Sequence, residues 1–177
     1  AAARSLYALQ NTDAAREKLR KYISDTSISQ ETREKRILSA ADVASAARDG
    51  AMENEALQQS DRPENLVRKG IALRKVFELE ASDRVFSEAF ARADRSPERV
   101  IGEIGMLLDA HYGEAAYRAY ETCEECASRL DVALQAGDML HPAGEGESVR
   151  RMVAERLENA DGQEAATLFE WCRERGY

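Results

Sequence analysis

One stretch decides the fold class: EAAYRAYETCEECASRLDVALQA, residues 114–136. Apolar side chains recur in it at intervals of four and three residues, which is the pitch of an α-helix. This spacing predicts one long helix with a buried stripe along its length, ended by Gly137. The stripe consists of Ala116, Tyr120, Cys123, Ala127, Leu130 and Leu134.

The composition of the whole 177-residue chain also indicates helices. Hydrophobic residues make up 44% of it and charged residues 33%, a composition typical of long helices with solvated faces. Ala, Arg, Glu and Leu dominate, and runs of β-branched residues are nearly absent, which argues against a sheet. We therefore predict an all-α fold, a compact bundle of about six to eight helices with short connections.

The chain is predicted to be a single helical domain over residues 1–177. Its sequence suggests a sub-boundary near residues 50–61 and a loop at 137–147 before a C-terminal helical pair. Two similar stretches, DRPENLVRKGI and RSPERVIGEIG, have prolines 34 residues apart, the period of tetratricopeptide repeats. No third copy occurs near residues 29 or 131, so we interpret the likeness as a shared pattern of helix starts.

Cys123 and Cys126 carry the sharpest chemical signal in the chain. The favoured interpretation is that both are core residues, because the helical wheel places Cys123 in the stripe and Cys126 at its margin. One alternative is a zinc site completed by His111 and His141. The other is a redox pair, which the position of both thiols in mid-helix beside two glutamates disfavours. Three cysteines do not suggest a disulfide framework, so a cytoplasmic location is predicted.

Charge is distributed unevenly along the chain, whose net charge is −8. Residues 101–177 hold 7 Lys and Arg against 16 Asp and Glu, a balance that repels nucleic-acid phosphates. A basic strip lies earlier, on a helix expected at residues 62–78. We interpret it as a solvated face because no aromatic residues interleave for base stacking. The strip consists of Arg62, Arg68, Lys69, Arg74 and Lys75.

Motifs for catalysis are absent from the sequence. It has no Gly-rich phosphate loop, no framed nucleophile and no Asp-rich metal pattern, so we assign no catalytic residue and expect no cofactor. A pocket between helices needs no motif, which keeps an enzyme among the alternatives. No apolar run reaches the 18 residues typical of a membrane span. Apolar side chains that could contact a protein partner are Met139, Leu140, Phe169 and Trp171.

One segment resembles a known class of domains. AFARADRSPERVIGEIGMLLDAHYGEAAYRAY, Ala89 to Tyr120, is similar to helical segments of domains appended to conjugative relaxases and of BID-type secretion-signal domains. The resemblance consists of a Pro-started helix, an apolar stripe and a Gly-ended turn. It covers 32 of 177 residues, and we transfer no functional residue from it.

From these observations we predict a non-catalytic protein–protein interaction or adaptor domain, part of a larger bacterial protein. Acidic residues after position 100 would steer basic partners. The first alternative is a nucleic-acid-associated module of a conjugation or secretion system that binds through the basic helix. The second is a helical metal-binding protein that uses the cysteine pair.

Overall fold

The structure, a computed structural model, describes residues 2–177, which form twelve α-helices and one 3-10 turn and contain no strand. The all-α class is therefore confirmed, whereas the predicted six to eight helices are too few. Within the described residues no helix combines the length and the hydropathy of a membrane span. The helices are α1 (Ala2–Ala8), α2 (Thr12–Ile23), α3 (Gln30–Ala46), α4 (Gly50–Gln58), α5 (Leu66–Lys75), α6 (Leu79–Phe90), α7 (Pro97–Asp109), α8 (Gly113–Glu121), α9 (Glu124–Ser128), α10 (Leu130–Leu140), α11 (Gly146–Leu157) and α12 (Gly162–Arg175), and the 3-10 turn covers Pro63–Asn65.

The helices belong to two compact units, which we call unit 1 (through Ala89) and unit 2 (Phe90 to Tyr177). In unit 1, each of the helices α1 to α4 packs on the next along the chain, and α2 also contacts α4. In unit 2, α10 packs against α7, α8, α9 and α11. The division at residue 89 differs from the sub-boundary near residues 50–61 that the sequence suggested.

Helix starts are fixed by capping residues close by in the sequence. Ser96 accepts a hydrogen bond from the Arg99 N–H at 3.3 Å and starts α7. Asp161 accepts one from an amide of the first turn of α12 at 2.8 Å, and Ser29 caps α3. These side chains satisfy N–H groups that have no partner inside the helix, so the sequence alone locates these starts.

Helix ends follow a recurring turn that the sequence does not mark. Within residues 2–177, a residue in the left-handed conformation follows a helix at six places, and the next amide donates to the carbonyl five residues before it. The first such bond joins the Asn11 N–H to the Leu6 carbonyl at 2.9 Å. This Schellman geometry satisfies carbonyls at the helix end. The left-handed residues are Gln10, Arg48, Phe77, His111, Gly144 and Gly176, spaced 29 to 38 residues apart.

Five of the six turns connect one helix to the next, and the sixth, at Gly176, follows α12. Four of the six left-handed residues are not glycine, so the positions of glycines do not locate these helix ends. Gly50 and Gly113 do not end helices but are the first residues of α4 and α8. The two similar Pro-started stretches open the hairpins that turn at Phe77 and His111, 34 residues apart, so their likeness reflects equivalent positions in the hairpins.

The helix predicted over residues 114–136 is broken twice, into α8, α9 and α10. Two arginines distant in the sequence bind the carbonyl groups at these breaks. Arg95 donates to the Ala119 carbonyl at 2.6 Å, and Arg156 donates to the carbonyls of Ala127 and Ser128. In one continuous helix these carbonyls would pair with amides four residues on. The arginines replace those bonds and stabilise both breaks.

The buried stripe predicted for this segment stops at the first break. Tyr120 and Cys123 are buried, but Ala127 is exposed. Gly137 is buried inside α10 instead of ending a helix, so the connection expected from residue 137 onward begins only after Leu140. In α10 the buried residues are Val132, Ala133, Ala136, Gly137 and Leu140.

Candidate protein-docking site

The turn after α5 presents an unusually exposed aromatic ring. The side chain of Phe77 is 86% exposed and that of Leu79 is 53% exposed. Phe77 has a φ of 64°. Its N–H donates to the Arg74 carbonyl and the Glu78 N–H to the Leu73 carbonyl, both at 3.0 Å. The ring is therefore held outward by an ordered, hydrogen-bonded backbone; we call residues Phe77 to Leu79 the Phe77 turn.

The other five recurring turns show that the fold does not require an aromatic residue at this position. The equivalent residues are also exposed, and they are Gln, Arg, His or Gly. A side chain in the left-handed conformation costs about 1–2 kcal/mol, most unfavourably when it is bulky. An exposed ring buries no surface in the fold to offset this cost. The fold itself therefore gives no packing reason for an aromatic side chain at position 77.

The surroundings of Phe77 are acidic. Glu78 and Glu80 are both exposed next to the ring. The neighbouring cations are paired within unit 1: Lys75 Nζ lies 2.8 Å from a carboxylate oxygen of Glu53, and Arg74 binds a carboxylate of α6. The pair with Glu53 also anchors the end of α5 to α4. The Phe77 turn thus combines an exposed apolar ring, a hydrogen-bonded backbone and two neighbouring carboxylates.

The four residues predicted to contact a partner occupy different environments. Phe169 is 62% exposed, whereas Leu140 is 0% and Trp171 6% exposed. Met139 is half-buried and, with Leu140, lies in the last turn of α10 instead of a loop. Trp171 Nε1 donates to Asp138 at 3.1 Å. Leu140 and Trp171 are therefore core residues, and Phe169 keeps the exposure that a contact residue needs.

Most of the basic side chains in the strip bind carboxylates or carbonyl groups within unit 1. The helix of the strip, α5, is shorter than the expected 62–78. Arg68 pairs with Asp42 at 2.6 Å, and Lys69 donates to the Ser60 carbonyl. Cations already bound to internal acceptors gain less from binding phosphate, which weakens the nucleic-acid hypothesis. The internally bound residues are Arg68, Lys69, Arg74 and Lys75, and Arg62 is exposed beside the 3-10 turn.

The cysteine pair forms a disulfide between Cys123 and Cys126. The side chains are 5% and 0% exposed, so the predicted burial of both is confirmed. Their predicted place in mid-helix is wrong, because Cys123 is the N-cap of α9 and its Sγ lies 3.2 Å from the Cys126 N–H. The odd cysteine count did not suggest a disulfide framework, but the structure has this one bond. The break before α9 brings the two sulfurs together.

The four residues proposed as zinc ligands do not form a metal site in the structure. Disulfide sulfurs offer no thiolate to a metal. His111 is exposed in the turn between α7 and α8, and His141 Nδ1 lies 2.5 Å from the Tyr177 hydroxyl. Across residues 2–177 no group of three or more His, Cys, Asp or Glu could hold a metal ion.

Reducing the disulfide should lower the free energy of unfolding of unit 2 by about 2 kcal/mol, because the crosslink restricts the unfolded chain over a short loop. Urea denaturation with and without a phosphine reductant, followed by fluorescence of the single tryptophan in unit 2, measures this change. The double variant Cys123→Ala/Cys126→Ala should not respond to the reductant. An unchanged midpoint for the wild-type protein on reduction would contradict the prediction.

Comparison of the chain with family models, curated proteins and solved structures finds no match. The resemblance of residues 89–120 to relaxase-appended and BID-type domains stays a prediction. Function is therefore inferred from the Phe77 turn and its surroundings.

Proposed function

We propose that this chain is a non-catalytic protein-interaction domain that inserts Phe77 into an apolar pocket of a partner protein. The observation that carries the proposal is the 86% exposed ring in a left-handed turn where the equivalent residues are polar or glycine. Helical hairpins serve as binding scaffolds in many repeat proteins, and this analogy supports the proposal. The adaptor function predicted from the sequence is kept, but its main contact moves from the C-terminal residues to the Phe77 turn.

The geometry suits a small, aromatic-centred contact. Aromatic side chains that fill a desolvated pocket are typical binding hot spots, and their truncation costs about 2 kcal/mol or more. That cost corresponds to about a 30-fold loss of affinity. Leu79 extends the apolar surface beside the ring. Glu78 and Glu80 match a basic rim around the partner's pocket, which would speed association and make it sensitive to salt.

The key variant is Phe77→Asn, for which binding and stability should change in opposite directions. Asparagine tolerates the left-handed conformation, so the free energy of unfolding should rise by about 1 kcal/mol. Affinity for the partner should fall about 30-fold. The partner is first identified by capture on the full chain from the native organism and purified. Titration calorimetry with each variant then measures affinity, and thermal unfolding measures stability.

Leu9→Gln is the matched control. Leu9 is 77% exposed and precedes Gln10 in the first recurring turn, so this variant also removes an exposed apolar side chain from unit 1. It should keep wild-type affinity. The proposal fails if folded Phe77→Asn binds the purified partner as tightly as wild type, or if Leu9→Gln loses as much affinity as Phe77→Asn.

A further inference from the structure

Unit 2 contains a cavity of about 340 Å³ between α8, α9, α11 and the start of α12. Its buried floor consists of Tyr117, Tyr120 and Met152. On α8, Glu121 follows Tyr117 by four residues; on α11, Glu155 follows Met152 by three. Both spacings put the two side chains on the same helix face. Each of the two helices therefore contributes one or more apolar side chains to the floor of the cavity and one carboxylate to its rim.

The rim is negatively charged. Three carboxylates and one guanidinium group line the cavity. The guanidinium belongs to Arg156, whose Nε lies 2.6 Å from Glu164 Oε1 and whose other nitrogens bind carbonyls of α9. Because Arg156 and Glu164 compensate each other, Glu121 and Glu155 determine the charge at the mouth. Burial is the main cause that raises the pKa of Tyr117 to about 12, and the negative charges of Glu155 and Glu121 add to it. Both carboxylates therefore act electrostatically on the Tyr117 hydroxyl in the cavity floor.

We propose that this cavity binds a guanidinium group carried on an alkyl stem. Tyr117, Tyr120 and Met152 leave only 4–5% of their surface exposed, so they offer a narrow apolar floor for the methylene stem. The planar guanidinium fork pairs well with carboxylates such as Glu121 and Glu155. An anion would be repelled by the rim, and a neutral apolar ligand would desolvate the carboxylates without pairing them.

One guanidinium of the chain already uses this aromatic surface. The Cζ of Arg151 lies 5.6 Å from the centroid of the Tyr117 ring. Arg151 is exposed and is not part of the cavity lining. Its positive charge lies near the cavity and should weaken binding of a cationic ligand. Removing this charge should therefore strengthen ligand binding.

The ligand could be a free alkylguanidine or an arginine side chain of a partner protein, and titration calorimetry on the full chain distinguishes the two. The probes are agmatine, the peptide acetyl-Gly-Arg-Gly-amide, and N-butylurea as a neutral isostere. Binding of agmatine with a Kd below about 1 mM identifies a site for free alkylguanidines. Binding of the peptide alone assigns the site to a partner's arginine. Absence of binding by both cationic probes, or equal binding of N-butylurea, overturns the proposal.

Three variants test the assignment of the rim. Glu121→Gln and Glu155→Gln should each weaken binding of the cationic probe about tenfold, and Arg151→Gln should strengthen it. Glu170→Gln is the control, because Glu170 is exposed outside the cavity and pairs with Arg173; this variant should bind like wild type. Thermal unfolding verifies that each variant is folded. If Glu170→Gln weakens binding as much as Glu121→Gln, the binding reflects net charge and the cavity assignment is wrong.

This inference is independent of the proposed docking function. Phe77 belongs to unit 1 and the cavity to unit 2. The variant Phe77→Asn should therefore bind agmatine or the arginine peptide with wild-type affinity. Failure of the partner experiment leaves the cavity result unaffected, and failure of the cavity experiment leaves the partner result unaffected.

Discussion

Replacing Arg95 with alanine should lower the free energy of unfolding of unit 2 by about 3–5 kcal/mol. The side chains of Arg95 and Glu103 are 2% and 3% exposed and pair at 2.8 Å. Arg95 also donates to the carbonyls of Phe90 and Ala119 and to the Thr122 hydroxyl. The variant would leave a buried carboxylate without this guanidinium and the end of α8 without its donor, both of which are costly.

Urea denaturation monitored by tryptophan fluorescence measures this effect, since the only tryptophan lies in unit 2. Arg95→Lys should recover only part of the stability, because an ammonium group cannot reproduce the planar fork of the guanidinium. Arg173→Ala, which removes a 78% exposed arginine side chain from a surface pair, should change the free energy of unfolding by less than about 1 kcal/mol. A loss below about 1 kcal/mol for Arg95→Ala would contradict the assigned role.

Leu140→Ala should lower the free energy of unfolding of unit 2 by about 2–5 kcal/mol. Leu140 is 0% exposed at the end of α10, so truncation removes apolar contacts and leaves a cavity among close-packed side chains. Its carbonyl also accepts the Glu145 N–H in the fifth recurring turn. A core residue at a helix end thus stabilises both the helix packing and the turn that follows.

Phe169→Ala provides the contrast for Leu140→Ala. Both residues were predicted from the sequence to contact a partner, but Phe169 is 62% exposed. Its truncation should change the free energy of unfolding by no more than about 0.5 kcal/mol. Equal losses of stability in the two variants, measured by the same fluorescence-monitored denaturation, would show that Leu140 is not the core residue described here.

The candidate docking site was missed by sequence reasoning for an identifiable reason. Phe77 lies in the helix expected at residues 62–78, and an apolar residue in a helical pattern is normally expected in the core. The left-handed turn at Phe77 interrupts the helix and directs the ring outward. A comparison of the six equivalent turn positions would have revealed the anomaly, since only this one is apolar, but their equivalence is visible only once the hairpins are known.

The cavity in unit 2 was also beyond the sequence analysis. Of its floor residues, only Tyr120 belongs to the apolar stripe predicted from the sequence, and Tyr117 and Met152 lie outside that stripe. Their common cavity depends on the separation of α9 from α8 and on the binding of Arg156 to the carbonyls of Ala127 and Ser128, 28 to 29 residues away. No local pattern encodes a contact over that distance.

The sequence by itself determined the all-α class and several helix starts, because periodic apolar positions and capping side chains act within a few residues of each other. Only the tertiary structure decided where helices end, which cysteines bond and which aromatic rings are exposed. Non-glycine residues adopt the left-handed turns, and distant arginines satisfy the carbonyls at the breaks around α9. These outcomes depend on long-range packing and hydrogen bonding, whose energies exceed the weak local preference for continuing a helix.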